Sequence, residues 1–260
     1  MVAPSDAAGR ADEGMKIAIL SDIHGNRQAF ETVLADARAR GAERFIILGD
    51  IVGYGGDPVW CVETCMKLVA EGAIAVRGNH DQAISDASYS MNSSAGIAID
   101  WTRIALEPRH RDFLARLPVS FTEEDRLYVH AEGSAPARFT YVNDRSDAET
   151  HFRGCGARLT FCGHVHAPAL YRLGTGGKVT PFIPSSDIGI PVTPPRRWLA
   201  VIGSVGQPRD GNPAAAWALY DTKSAELSFR WTAYDIDGAA TAIRAASLPE
   251  NLALRLYKGR

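Results

Sequence analysis

Five short apolar runs in this chain are each followed at once by Asp, Asn or His. Lys16 to Leu20 leads into Ser21-Asp22-Ile23-His24-Gly25-Asn26, and Arg44 to Leu48 leads into Gly49-Asp50. Ile74 to Val76 precedes Arg77-Gly78-Asn79-His80-Asp81, Arg126 to Val129 precedes His130, and Arg158 to Cys162 precedes Gly163-His164-Val165-His166. Asp22 and His24 are two apart, as are His164 and His166. On extended backbone that spacing turns both side chains to one face, so each pair can supply half of a chelate. Glycine stands beside nearly every motif, where it permits tight turns and close backbone approach. Mixed imidazole, carboxylate and amide donors suit Mn, Fe, Ni, Co or Zn, and fit poorly with Ca or an all-oxygen Mg site. Two such ions, partly neutralised by Asp22 and Asp50, would keep a net positive charge even with a bridging hydroxide. That suits attack on an anionic phosphoryl group.

Each motif alone is weak. An isolated D-x-H or H-x-H is more often a surface or hydrogen-bonded pair, and G-D after a strand is common. The histidines decide the matter. Of seven, His24, His80, His130, His164 and His166 stand at or just after the ends of the apolar runs; only His110 and His151 fall in helical or loop contexts and read as structural.

The elements that must position these residues can be read from periodicity. Lys16 to Leu20, Arg44 to Leu48 and Ile74 to Val76 read as buried strands. Helices over Arg27 to Ala39 and Pro58 to Ala70 alternate with them, which predicts βαβ units and a parallel sheet. Ligands in such sheets bind at the carboxyl ends of strands. Residues Gln82 to Pro118 read as mostly helical, with Ser93 or Ser94 as a cap. Beyond them, Arg126 to Val129, Arg158 to Cys162, Leu170 to Leu173, Lys178 to Phe182, Trp198 to Ile202, Ala214 to Tyr220 and Glu226 to Ala233 read as strands. Gly- and Pro-rich turns join many of these, as in antiparallel pairs. Phe182 to Pro195 reads as a surface loop, and Asp237 to Lys258 as two short helices. The expected architecture is one α/β domain over residues 15–260: two mixed β-sheets packed as a sandwich with helices outside, a four-layer αββα arrangement. Residues 83–117 would be a helical insertion, residues 237–258 a helical tail, and residues 1–14 a disordered leader ahead of Met15.

Composition narrows the class. At 46% hydrophobic and 22% charged, the 260 residues are ordinary for a globular domain. A net charge of -2, without a long basic run, argues against general nucleic-acid binding. No apolar stretch is long enough to span a membrane. Four cysteines without a C-x-x-C pair suggest no disulfide framework and fit a reducing cytoplasm.

In order, the motifs D-x-H, G-D, G-N-H-[DE], H and G-H-x-H resemble the series of the calcineurin-like metallophosphoesterase superfamily, with every element present. Gly49-Asp50-Ile51-Val52-Gly53-Tyr54-Gly55 and Gly203-Ser204-Val205-Gly206-Gln207-Pro208-Arg209-Asp210-Gly211 resemble its bacterial and archaeal branch, described as diadenosine-tetraphosphatase-like or protein-phosphatase-like. The resemblance runs from about Met15 to the C-terminal helices. It implies Asp22, His24 and His166 as ligands of one divalent transition-metal ion, Asn79, His130 and His164 as ligands of a second, and Asp50 bridging both. His80 would stand beside them as general acid. The implied reaction is in-line attack of a metal-bridging hydroxide on a small phosphodiester, phosphomonoester or dinucleoside polyphosphate.

The chain departs from the phosphoprotein phosphatases, which continue G-D with Asp-Arg-Gly. Here Gly53-Tyr54-Gly55 stands instead, without the aspartate that orients the acid histidine and the arginine that holds phosphate. Asp81 is a substitute orienting group or a turn residue. Tyr54 lines the pocket or packs. Arg209 reaches phosphate or makes a loop ion pair. A phosphoprotein phosphatase and a non-catalytic scaffold of the same fold stay open as alternatives.

Overall fold

Along Lys16–Leu20 (β1), Ile17 and Ile19 point one way, Ala18 and Leu20 the other, and all four are buried. A strand buried on both faces belongs in the middle of a layered structure. The computed structural model, which describes residues 14–86 and 93–260, bears this out. Ile17 and Ile19 join a core between two sheets with Tyr128, Phe161, Trp198, Ala200 and Phe229. Ala18 and Leu20 face a second core under two helices, Arg27–Ala39 (α1) and Pro58–Ala70 (α2).

The first sheet contains β1, Arg44–Ile47 (β2), Ile74–Ala75 (β3), Gly189–Pro191, Ala215–Asp221 and Glu226–Thr232. The second contains Ser120–Glu123, Arg126–Val129, Leu159–Cys162, Ala169–Leu173, Val179–Phe182 and Arg197–Val201. In chain order the later strands are β4 (Ser120–Glu123), β5 (Arg126–Val129), β6 (Leu159–Cys162), β7 (Ala169–Leu173), β8 (Val179–Phe182), β9 (Gly189–Pro191), β10 (Arg197–Val201), β11 (Ala215–Asp221) and β12 (Glu226–Thr232). Their spatial orders are β3-β2-β1-β11-β12-β9 and β4-β5-β6-β10-β7-β8. Each sheet has a parallel centre: β1, β2 and β3 in one, β5, β6 and β10 in the other. The remaining pairings are antiparallel, so both sheets are mixed. The carboxyl ends of both parallel centres open at the same end of the sandwich.

Helices Asn79–Ser85 (α3), Ser93–Ala105 (α4) and Pro108–Arg116 (α5) follow β3, as the sequence predicts. Arg145–Gly154 (α6) covers the outer face of the second sheet, where Phe152 packs with Val129, Leu199 and Val201. Ile236–Ala245 (α7) and Glu250–Leu256 (α8) pack with α4 and Tyr54. All four cysteines are buried free thiols. No helix among the described residues is long and apolar enough to cross a membrane. The leader expected over residues 1–14 lies, apart from Gly14, outside the described residues, as do residues 87–92 before α4 and with them the setting of its cap.

Three elements depart from the sequence reading. Gly189–Pro191 lies in the stretch expected to be only a surface loop, yet it pairs with β12 through Leu227 and Ile190. Its place at a sheet edge explains the tolerated proline. Ser120–Glu123 is an edge strand with no buried residue, so it carries no hydrophobic alternation to read. Helix α6 begins at Asp144, whose carboxylate accepts the Ser146 and Asp147 N–H groups.

Candidate metal centre

Seven of the side chains singled out from sequence, together with His80, converge where β1, β2, β3, β5 and β6 end. Asp22, His24, Asp50, Asn79, His80, His130, His164 and His166 are all buried. Asp22, His24 and His166 form one group, Asp50, His130 and His164 another, and His24, Asp50 and His80 a third between them. Asn79 joins the second group, with Oδ1 3.1 Å from His130 Nε2.

The local backbone differs from the expectation. Asp22 and His24 were read as extended neighbours, as were His164 and His166. All four instead have left-handed φ, at 55°, 50°, 68° and 64°, and so does Asp50 at 52°. Such φ values cost free energy in residues with a Cβ and collect at functional sites. The turns are secured by hydrogen bonds: His24 N–H donates to Asp50 O at 2.9 Å, and His164 N–H donates to Asp22 Oδ2 at 2.9 Å. The H-x-H motif is thereby split rather than forming half of one chelate. His166 Nε2 lies 3.1 Å from His24 Nε2, while His164 Nδ1 lies 3.1 Å from His130 Nε2. A Cβ on Gly163 would strike Asp22 and Ser21, which is why that turn needs glycine.

Backbone carbonyls set the ring tautomers. His24 Nδ1–H donates to Val52 O at 3.0 Å, His166 Nδ1–H to Gln207 O at 2.7 Å, and His130 Nδ1–H to Leu48 O at 2.8 Å. Each Nε2 is then turned inward. The first group gathers inward-turned atoms in an arrangement that suits a cation. Burial holds His166 down at about 4, so its Nε2 carries a lone pair at neutral pH. The His24 and His166 Nε2 atoms face each other at 3.1 Å beside Asp22 Oδ1, which has no hydrogen-bond partner and lies 3.1 Å from His166 Nε2. Atoms bound at about 2.1 Å to one ion sit about 3 to 3.4 Å apart, so these side chains fit a metal.

Between the groups, Asp50 Oδ2 lies 3.7 Å from His24 Nε2 and 3.4 Å from His130 Nε2. Its Oδ1 accepts the His80 backbone N–H at 2.8 Å. Burial opposes ionisation of Asp50, but His130, His80 and His24 outweigh it and hold the carboxyl below its usual range. Burial would likewise lower His130, yet the facing Asp50 carboxylate raises it to about 9. Burial drives His164 down to about 3.

His80 stands at the edge. Its Nε2 is 4.0 Å from Asp50 Oδ2, and its Nδ1 is buried without a partner. Burial lowers the ring to about 3 despite Asp50. Gly53 packs so tightly against Nδ1 that a Cβ there would overlap the ring. Asp81 does not orient His80. Its carboxylate accepts N–H groups from Ile51 at 2.9 Å, Val52 at 3.4 Å and Gly78 at 3.0 Å, which locks the loop after Asp50 onto the start of α3. Tyr54, with φ 63°, is buried and has its ring 4.6 Å from the rings of both His24 and His80. Among the described residues Arg209 makes no loop ion pair: its Nη2 donates to Gln207 Oε1 at 2.8 Å and its guanidinium sits 5.7 Å from the Tyr54 ring. His110 and His151 pack away from the centre, against Glu63 and Glu132.

The sequence motifs did not reveal Tyr141, which stacks on His164 at 4.0 Å and is partly exposed. No turn or spacing rule marks a lone aromatic in a loop. The carbonyls of Leu48, Val52 and Gln207 were equally invisible, because any residue type supplies one.

Two mixed sheets with Asp, Asn and His gathered at their carboxyl ends define an α/β metallohydrolase. A model described as the calcineurin-like phosphoesterase superfamily domain matches residues 15–225. The uncharacterized protein MJ0912 of Methanocaldococcus jannaschii is 32% identical over 258 residues, covering 94% of this chain and 98% of its own. Phosphodiesterase YfcE of Escherichia coli is 26% identical over 209 residues, covering 77% of this chain and 85% of its own. The crystal structure of a metallophosphoesterase from Sphaerobacter thermophilus superposes with a TM-score of 0.85 at 33% identity, covering 95% of this chain and all of that one. The chain belongs to the calcineurin-like phosphoesterase superfamily and is a metal-dependent phosphoric ester hydrolase.

Proposed function

We propose that this enzyme holds two divalent transition-metal ions, drawn from Mn, Fe, Zn, Ni or Co, and hydrolyses a small phosphodiester, phosphomonoester or dinucleoside polyphosphate. Asp22, His24 and His166 bind one ion, Asn79, His130 and His164 the other, and Asp50 is shared. The observation that carries this reading is the convergence of His24 Nε2, His166 Nε2 and Asp22 Oδ1, with Asp50 Oδ2 facing both groups. Bound ions supply a water acidic enough to attack phosphorus and positive charge against the phosphoryl oxygens. His80 donates a proton to the leaving oxygen. Its backbone is tied to Asp50, its ring is held by Gly53 and Tyr54, and the anionic substrate beside it raises its pKa from the buried value.

The missing Asp-Arg-Gly element argues against a phosphoprotein substrate, and the complete donor set argues against a scaffold. The test is elemental analysis and turnover of metal-loaded protein on bis(4-nitrophenyl) phosphate, 4-nitrophenyl phosphate and a phosphopeptide. Expected are two ions per chain and hydrolysis of the aryl esters over the peptide. His80→Asn should lower kcat about a hundredfold with metal content unchanged. A loaded protein inert toward every ester would overturn the proposal.

A further inference from the structure

Of the four histidines proposed as ligands, three have their rings fixed by the backbone. His24, His130 and His166 each donate Nδ1–H to a carbonyl, of Val52, Leu48 and Gln207 respectively. Such a bond sets both the tautomer and the tilt of the ring, so Nε2 is aimed before any ion arrives. His164 is arranged the other way round. Its Nδ1 is the inward atom, 3.1 Å from His130 Nε2, and among the described residues no carbonyl holds its Nε2. The His164 backbone is secured by the N–H that donates to Asp22 Oδ2 at 2.9 Å, but that bond leaves the ring free to turn about its Cβ–Cγ bond.

Tyr141 lies against that ring instead. The two ring centroids are 4.0 Å apart and the planes 20° from parallel, while the His130 ring stands across His164 at 4.8 Å and 62°. A face stacked this closely resists rotation of the imidazole, because a turn drives its edge into the tyrosine ring. The loop pins Tyr141 in place from both sides. Before it, Phe139 takes a left-handed φ of 50°, is buried and meets the His130 ring at 5.8 Å and 73°. Thr140 O accepts the Glu132 N–H at 3.0 Å. After it, Val142 is buried with Ala148 and Phe152 of α6. Tyr141 itself is 47% exposed, so its ring adds little to the core and its effect falls on His164.

We propose that Tyr141 is a positioning residue: its ring holds the His164 imidazole with Nδ1 turned toward His130, and so sets how tightly the second group retains its ion. The assignment rests on the two-ion reading above. It makes the two groups unlike in how they are built. In the first, carbonyls aim both histidines; in the second, a carbonyl aims His130 and an aromatic face aims His164. Removing the tyrosine ring should therefore weaken one site and spare the other. The stack is made by the ring and not by its hydroxyl, so phenylalanine should serve as well.

The test is calorimetric titration of metal-free protein with Mn²⁺ and, separately, with Zn²⁺. Wild type should take up two ions. Tyr141→Leu should bind one of them about tenfold more weakly, where the upper reach of an aromatic pair meets the lower reach of a lost outer partner. Affinity at the other site and the Tm of the metal-free protein should match wild type. Tyr141→Phe should bind both ions as wild type does. In a His164→Ala background, Tyr141→Leu should have no further effect on metal affinity, because the residue it acts through is already gone. Unchanged affinity in Tyr141→Leu, equal weakening at both sites or a lowered metal-free Tm would each overturn the assignment. So would a Tyr141→Phe protein as weak as Tyr141→Leu, or a further loss in the His164→Ala background. A wild-type chain that takes up fewer than two ions of either metal overturns the two-ion reading itself.

Discussion

At the N-terminal ends of β1, β2 and β5, Arg44 meets Glu123 at 2.7 Å, and Arg126 meets Glu123 at 3.3 Å and Glu124 at 2.6 Å. These pairs tie the first sheet to the second with charges that already match. At the carboxyl ends of the same strands, the His24 and His166 Nε2 atoms face each other at 3.1 Å, and Asp22 Oδ1 and His80 Nδ1 are buried without hydrogen-bond partners. One end of the sandwich pairs its opposite charges within the chain, whereas the other gathers donor atoms that suit a cation the chain does not supply. The difference teaches where stability ends and function begins. Matched ion pairs at the base hold the sheets in register, so that strained left-handed turns at the top can aim donors inward.

The largest expected effect comes from removing the ligand proposed to be shared. Asp50→Ala takes away the oxygen facing both groups and the acceptor for the His80 N–H. Loss of a mere outer partner costs 10- to 100-fold in metal affinity, so loss of a ligand serving two ions, as proposed, should cost activity on the order of a thousandfold or more. Elemental analysis should show both ions depleted together. Depletion of one ion alone would mean that Asp50 serves only one group.

Chelation should act at the same end with a smaller, measurable consequence. Stripping an ion present at about 100 times its Kd removes about 2.7 kcal/mol of stabilisation. For a chain of this size that lowers Tm by about 5 to 10 °C, read by calorimetry with and without chelator. A Tm indifferent to chelator would show that the upper end is complete without metal, and the contrast between the two ends would collapse.

How much of this was readable beforehand follows from where the information sits. Asp22, His24, Asp50, Asn79, His130, His164 and His166 were legible because each follows an apolar run whose end can be recognised locally. The βαβ start was legible for the same reason, since β1, β2 and β3 alternate with α1 and α2. The left-handed φ of Asp22 and His164 was not, because it depends on hydrogen bonds to Gly49 and to Asp22 across the sandwich. Strand β1 pairs with β11, some two hundred residues away, through Ile17 and Tyr220, and no periodicity encodes that partner. Asp81 misled for a related reason: its place beside His80 in the chain suggested contact, but the start of α3 turns its carboxylate to backbone N–H groups of the neighbouring loop.

The smallest expected effect belongs to the base. Glu123→Gln removes the charge that faces Arg44 and Arg126 but keeps an amide oxygen to accept from them. Arg126 retains Glu124, and Arg44 retains the Gly72 carbonyl at 3.3 Å, so neither cation is stranded. Both members of the Arg44–Glu123 pair are about a quarter exposed, where solvent screens the attraction. The cost should therefore lie within about 1 kcal/mol, or a Tm decrease of about 2 to 4 °C. Because the base and the metal centre share no partner, this decrease should be the same in metal-loaded and chelated protein. Calorimetry of both forms tests that directly. A Glu123→Gln protein whose metal content or loading-induced Tm shift differs from wild type would show that the two ends are coupled, and that the charges at the base help to set the geometry at the top.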